Sequence, residues 1–245
     1  MLVTKSMRRL ILLAAAAMAW AQQQPAFEVA SVKLNAAGGP ASTVRPRSGG
    51  MEWENYSLRQ FIQAAYAVKD YAFSGPSWLD SVRLDVIAKL PAGARFDQVP
   101  AMMQSLLLER FKLAVHREEK EMPALALVVD KKGPRIQPVE PGPGGKSWGS
   151  SMVQGIKISM ADFADLLSRA LERPVKDLTG LPGVYDIKIA WLPDNATSAD
   201  APGNKDLAAS VYAAVQDQLG LKLQAQRLPV EILVVDHAER VPAGN

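Results

Sequence analysis

The stretch AMMQSLLLERFKLAVHREEKEMPALALVVD, residues 101–130, indicates how the chain folds. Its first part carries apolar side chains at helical spacing, among them Met103, Leu107 and Phe111. The residues of FKLAV then alternate as in a strand, and PALALVVD is a short apolar run typical of a buried strand. Between these runs stands HREEKE, which we interpret as a charged turn. The stretch therefore predicts a helix followed by two strands.

The same pattern returns in residues 207–236. A helical stripe is followed by the alternating LGLKL, and PVEILVVD stands where PALALVVD stood. We expect Leu107 and Val215 to occupy equivalent buried positions on two helices. Likewise, we expect Leu127 and Leu233 to lie in buried strands, since both runs are apolar enough to be covered on both faces.

A second kind of unit also occurs twice. SLRQ at 57–60 and SMAD at 159–162 each predict the capped start of a helix, with the acid or amide three residues after the serine. LDVIAKLP at 84–91 and YDIKIAWLP at 185–193 then read as equivalent strands. The two kinds of unit alternate along the chain. Chance recurrence in an α+β protein is the alternative to duplication.

The repeats predict an α+β fold in which two similar halves pack helices on small mixed or antiparallel sheets. We expect the halves at residues 27–139 and 152–240. The connection at 140–151 is rich in Pro and Gly and is interpreted as a linker. Because one helix with two strands cannot cover its own apolar faces, the units should pack together.

The N-terminus is typical of a secretory signal, expected at residues 1–21. Lys5, Arg8 and Arg9 precede a short apolar run that ends in Ala-Trp-Ala at 19–21. An uncleaved membrane anchor is the alternative. Removing the signal leaves 25 Lys and Arg against 25 Asp and Glu, so the mature chain is neutral and gives no argument for nucleic acid. We expect export to the periplasm or the exterior, with no transmembrane segment after signal removal.

The sequence offers no recognisable catalytic constellation. It has no cysteine, which excludes thiol catalysis, cysteine-ligated metal and a lipoprotein anchor. GGKS at 144–147 lacks the first glycine of a phosphate-binding loop, because Glu140 stands there. His116 and His237 are interpreted as solvated turn residues, and no G-x-S-x-G occurs. We therefore expect no catalytic residue, no metal and no cofactor.

Aromatic side chains crowd residues 51–78. Such a cluster, with members in a loop, can line a ligand groove. The candidate ligand-binding residues are Trp53, Tyr56, Tyr66 and Trp78. Packing within a hydrophobic core is the alternative interpretation.

Several segments resemble an exported, soil-bacterial protein family of unknown function. They are FEVASVKLN, SLRQFIQAAYAV, GPSWLDSVRLDVIAKLP, MMQSLLLERFKLAVHREEKEMPALALVVDKKGP, RPVKDLTGLPGVYDIKIAW and LGLKLQAQRLPVEILVVDHAER. The resemblance covers nearly the whole mature chain, although Leu84 stands where the family usually has tyrosine. Because the family has no established activity, the resemblance carries no catalytic residue over to this chain. Relatives beside or fused to membrane sensor peptidases imply extracytoplasmic sensing or docking. The units also resemble, at the level of fold, the short N-terminal domain of secretins and TonB-dependent receptors.

We therefore expect an exported, non-enzymatic binding or interaction module of the bacterial cell envelope. Its partner would be an envelope protein or a small ligand, with no nucleic acid. Two alternatives are a secreted hydrolase whose active-site residues are dispersed in sequence, and a structural component of the envelope.

Overall fold

The computed structural model describes residues 25–36, 39, 41–149, 151–191 and 204–244, which form four α-helices and eleven strands. The α+β prediction is confirmed, whereas the expected signal at 1–21 lies outside the described residues. In chain order the elements are β1 (Val29–Leu34), β2 (Thr43–Arg47), β3 (Gly50–Ser57), α1 (Leu58–Tyr66), β4 (Phe73–Ser74), β5 (Arg83–Lys89), α2 (Val99–Phe111), β6 (Ala114–Val129), β7 (Gly145–Trp148), β8 (Met152–Ile158), α3 (Met160–Leu171), β9 (Val175–Asp177), β10 (Tyr185–Ala190), α4 (Asn204–Leu219) and β11 (Leu221–His237).

The internal repeat is visible in the order of the strands. One sheet has the order β1-β5-β3-β2 and another has the order β10-β8-β7, with antiparallel neighbours throughout. Thus β10, β8 and β7 correspond to β5, β3 and β2. Both predicted capping boxes are present, since Ser57 accepts from the amide of Gln60 and Ser159 from the amide of Asp162. The duplication inferred from sequence is therefore a duplication of structure.

A strained bulge recurs at the same place in both repeats. Asn55 and Lys157 both have a φ of 53°, in the left-handed region that side chains with a Cβ seldom adopt. The amide of Asn55 donates to Asp85 Oδ1 at 2.9 Å, and the amide of Lys157 donates to Asp186 Oδ1 at 2.8 Å. In each repeat the aspartate carboxylate accepts a hydrogen bond from the amide that the bulge takes out of the regular pairing between strands. This explains why an aspartate follows the first residue in both LDVIAK and YDIKIA.

HREEKE does not form a turn, and the prediction of two strands there is wrong. The residues lie within β6, a single strand of 16 residues, and β11 is a single strand of 17. At about 3.3 Å per residue, each strand extends over roughly 50 Å. Charged partners on β11 explain why these exposed residues continue a strand: Arg117 contacts Glu231, and Arg227 donates to the carbonyl of Glu121 at 2.8 Å.

Two compact units divide the described chain differently from the expected halves. The first comprises residues up to 68, 74–116 and 234 onwards, and the second comprises 69–73 and 117–233. The boundaries fall inside β6 and β11 because these strands are so long. As a result, Leu125 and Leu127 of β6 belong to the same core cluster as Phe163 of α3 and Val215 of α4. The second half of the sequence thus depends on a strand from the first half.

The four predicted core positions are buried as expected. Leu107 of α2, Val215 of α4 and Leu127 of β6 have no exposed area, and Leu233 of β11 is 1% exposed. Apolar periodicity was therefore a sound guide to burial.

Among the strands that were not predicted from the sequence, β2 and β7 are equivalent to each other. β2 lies in the Pro- and Gly-rich segment after Asn35, and β7 lies in the stretch interpreted as a linker at 140–151. Both stand at the edge of their sheets. Edge strands are commonly short and tolerate Pro and Gly, so their composition is similar to that of a loop.

None of the helices in the described ranges combines the length and the apolar character that a membrane span requires.

Candidate functional site

The aromatic residues predicted to bind a ligand lie in different environments. Trp53 is 3% exposed, and its ring makes edge-on contacts with Phe27 at 6.2 Å and Phe61 at 5.3 Å between centroids. Trp53 therefore packs in the core of the first unit, which is the alternative interpretation of the cluster.

The other three predicted residues are half-buried. Tyr56 lies at the bulged end of β3, where burial raises the pKa of its phenol. Tyr66 is the last residue of α1. Trp78 lies in a 3₁₀ turn, and the guanidinium of Arg240 lies 5.0 Å from the centre of its ring. These three side chains lie on three different elements, and their role in ligand binding stays a prediction.

Both histidines lie in strands rather than in turns, so that prediction is corrected. His116 lies in β6 and His237 ends β11. The Nδ1 atom of His116 lies 2.8 Å from Asp236 Oδ1, and about half of each side chain is exposed. Because β6 and β11 are neighbouring strands of one sheet, their pairing brings the two groups together although they are 120 residues apart in sequence.

A different surface, in the second unit, combines an exposed aromatic ring with fixed charges. On β7, Lys146 and Trp148 are two residues apart and share one face. On α3, Asp162, Asp165 and Arg169 follow at spacings of three and four, which places them in one stripe. Lys146 forms an ion pair with Asp162, and the guanidinium of Arg169 lies 5.1 Å from the centre of the Trp148 ring. We call these five residues the β7–α3 face.

The ring of Trp148 is the most unusual part of this face. The side chain is 55% exposed, although a large aromatic side chain normally buries most of its surface. Arg169 holds one side of the ring through a cation–π contact. The indole therefore contacts Arg169 on one side and is otherwise largely open to solvent.

The pKa values of the two carboxyl groups of this face are shifted in opposite directions. The hydrogen bond from Lys146, followed by those from Ser159, lowers the pKa of Asp162. Desolvation by neighbouring atoms raises the pKa of Asp165, although part of its side chain is solvent-exposed. Burial is also the main cause that raises the pKa of the nearby Tyr71, which hydrogen-bonds Ser168. Clustered groups with shifted pKa values are a general indicator of a functional surface.

These shifts predict opposite pH effects on stability. A raised folded pKa makes the ionised Asp165 unfavourable, so Asp165→Asn should melt above the parent at neutral pH and lose that advantage in acid. A lowered folded pKa makes the ionised Asp162 favourable, so Asp162→Asn should melt below the parent at neutral pH. That difference should vanish as the pH falls through the folded pKa. Both effects should stay below about 1 kcal/mol, because solvent screens the groups. Thermal melts at neutral and acid pH measure both, and shifts of equal sign would contradict the assignment.

The first repeat has the same backbone but lacks these side chains. The strand registers and the matching bulges place Val44 at the position of Lys146 and Pro46 at that of Trp148. Counting from the equivalent capping serines, Gln60 and Gln63 of α1 and Ala67, which follows α1, stand where α3 has Asp162, Asp165 and Arg169. Since α1, β2 and β3 form without any of these groups, the fold does not require the β7–α3 face.

The first unit also contains a cleft. It has a volume of about 370 Å³ and lies between residues 26–30 and α2, with Met102, Leu106 and Arg110 among its lining residues. Two of the polar side chains that line it already form hydrogen bonds within the protein. Ser105 Oγ donates to the carbonyl of Pro25 at 2.7 Å, and Arg110 Nη1 donates to that of Ala243 at 3.2 Å.

Within the described part of the chain, no three His, Asp or Glu side chains converge as metal ligands would. The structure thus defines an α+β protein with an internal repeat and a charged, aromatic surface on its second copy. The chain belongs to the DUF3738 family, described as a protein of unknown function, which matches residues 59–238. No curated protein and no solved structure gives a significant match.

The β7–α3 face was missed in the sequence. Trp148 is a single aromatic residue in a Gly-rich segment, and Arg169 follows only 21 positions later on another element. A comparison of the two repeats could have found it, because Arg45-Pro46 in β2 stands where Ser147-Trp148 stands in β7.

Proposed function

We propose that the chain is an exported, non-enzymatic binding module of the bacterial cell envelope, and that the β7–α3 face makes the contact. The observation that carries this proposal is the exposed ring of Trp148, held by Arg169 beside the Lys146–Asp162 pair. An exposed indole with fixed charged neighbours is typical of the residues that dominate binding surfaces. Its absence from the first repeat supports a role beyond folding.

Export forms part of the proposal. It rests on the basic and apolar N-terminus and on the resemblance to exported soil-bacterial proteins, whose position beside sensor peptidases favours extracytoplasmic sensing or docking. The likeness to the short domain of secretins and TonB-dependent receptors supports the same location. Fractionation of cells that express the full chain should place a product beginning near Gln22 outside the cytoplasm. An intact N-terminal Met1 in the cytoplasm would contradict export.

Binding is tested by co-sedimentation of the purified mature chain with isolated envelope material. We expect Trp148→Ala to weaken binding at least about tenfold, which corresponds to about 1.4 kcal/mol. Phe96 is a matched control, since it is an aromatic residue with 61% exposure in the other unit. Phe96→Ala should bind as the parent does.

Two results would contradict the proposal that this face makes the contact. One is equal binding by the Trp148→Ala and Phe96→Ala variants. The other is a mature chain that stays in the supernatant with every envelope fraction. Melting of each variant confirms that the substitution has left the fold intact.

A secreted hydrolase is the second candidate, and one observation favours it. His116 and Asp236 form a base with an orienting carboxylate, which are two parts of a nucleophilic site. Turnover of ester, glycoside or peptide substrates that disappears in His116→Ala would support this function over binding. A structural role in the envelope, the third alternative, would be supported by sedimentation that does not depend on Trp148.

A further inference from the structure

The β7–α3 face has no net charge, and this restricts the ligand. Two cations, Lys146 and Arg169, balance the two carboxylates of Asp162 and Asp165. An anionic ligand would meet the carboxylates, and a cationic ligand would meet Lys146 and Arg169. An uncharged ligand with many hydroxyl groups avoids both repulsions, because hydroxyls donate to carboxylates and accept from ammonium and guanidinium groups.

The aromatic ring restricts the ligand further. Arg169 lies over one side of Trp148, and the 55% exposure of the side chain leaves much of the rest open to solvent. A flat apolar surface next to the ring can stack there and remove apolar area from water. The pyranose ring of a sugar has such a surface, formed by its C–H groups, and carries hydroxyls around its edge.

The dimensions of the stripe suit more than one sugar ring. From Asp162 to Arg169 the helix rises about 10 Å, since each residue adds about 1.5 Å. The polar groups therefore extend along α3 past the indole and can contact a neighbouring sugar. Such a ligand does not need a deep pocket, because an extended chain lies along a surface.

From the neutral charge, the open ring and the length of the stripe, we infer that the β7–α3 face binds an uncharged, polymeric saccharide. Trp148 stacks on one pyranose ring, and Asp162, Asp165 and Lys146 hydrogen-bond the hydroxyls. Arg169 positions the indole. This inference rests on the proposed binding function and adds the class of ligand.

The test is titration of the mature chain with three neutral tetrasaccharides: cellotetraose, tetra-N-acetylchitotetraose and maltotetraose. Isothermal calorimetry measures affinity, and the fluorescence of the indole reports stacking. We expect at least one sugar to bind the parent and Phe96→Ala equally, and Trp148→Ala at least about tenfold more weakly. Trp148→Phe should retain part of the affinity, since a smaller ring still stacks. High salt should change the affinity little, because the ligand carries no charge.

The saccharide inference is overturned if none of the three sugars binds, or if binding is the same in Trp148→Ala. If co-sedimentation with envelope material still depends on Trp148 in that case, the face binds a different class of partner and the proposed function stands. If co-sedimentation is also independent of Trp148, the proposed function fails together with the inference. Strong loss of binding in high salt would instead indicate an ionic partner and would also overturn the inference.

Discussion

Leu127→Ala will destabilise the protein by about 2–5 kcal/mol, because truncation of a fully buried leucine leaves a cavity. The loss should appear in the second unit, although Leu127 lies in the first half of the sequence. Leu127 belongs to the core cluster that contains Phe163 of α3 and Val215 of α4. Hydrogen exchange under native conditions should therefore show reduced protection of the amides in α3 and α4.

Leu107→Ala is the matched variant for this measurement. It removes the same atoms from an equally buried position, but on α2 of the first unit. Its loss of protection should be largest in α1 and α2. Glu119 is exposed in the same strand as Leu127, so Glu119→Ala should cost less than about 0.5 kcal/mol. If Leu127→Ala melts like the parent, or reduces protection only in α1 and α2, the assignment of β6 to the second core is wrong.

Gly220→Ala should destabilise the protein by about 2–4 kcal/mol, through backbone strain and lost hydrogen bonds. Gly220 ends α4 with a φ of +66°, and an added Cβ would lie 2.3 Å from the carbonyl oxygen of Gly133. Because the two segments lie so close, the amide of Asp130 donates to the carbonyl of Gly220 at 3.0 Å, and the amide of Arg135 donates to the carbonyl of Leu219 at 2.8 Å. A methyl group would separate the end of β6 from the end of α4.

Lys112 provides the control for the glycine. It occupies the equivalent position after α2, with a φ of 49°, but carries a side chain. Lys112→Ala keeps a Cβ in the same conformation and should change the stability by less than about 0.5 kcal/mol. Denaturant unfolding of both variants measures the difference. Equal effects would contradict this account, because neither the left-handed backbone nor the packing against 133–135 would then require a glycine at position 220.

Local signals in the sequence predicted the local features well. The capping boxes at Ser57 and Ser159 and the burial of Leu107 and Leu127 follow from patterns within a few residues. The recurrence of LDVIAK as YDIKIA also predicted the matched strands β5 and β10. Such features depend on spacing and on side-chain chemistry that can be read along a single element.

Features that depend on distant partners were predicted poorly. HREEKE was interpreted as a turn because its charges are solvated, yet partners such as Glu231 on β11 make it part of a long strand. The four residues of β7 were interpreted as part of a linker because an edge strand needs little β propensity. The packing of Trp53 against Phe61 joins two elements, so the sequence alone did not distinguish a core position from a ligand site. Trp148 was overlooked because Arg169, which fixes its ring, lies on another element.

The most direct test of binding at the β7–α3 face is a hydrogen-exchange footprint of the mature chain in the presence and absence of isolated envelope material. The proposal predicts that protection on binding will be concentrated in residues 145–148 and 160–171. Protection concentrated instead in residues 26–30 and 102–110, which line the cleft of the first unit, would contradict it.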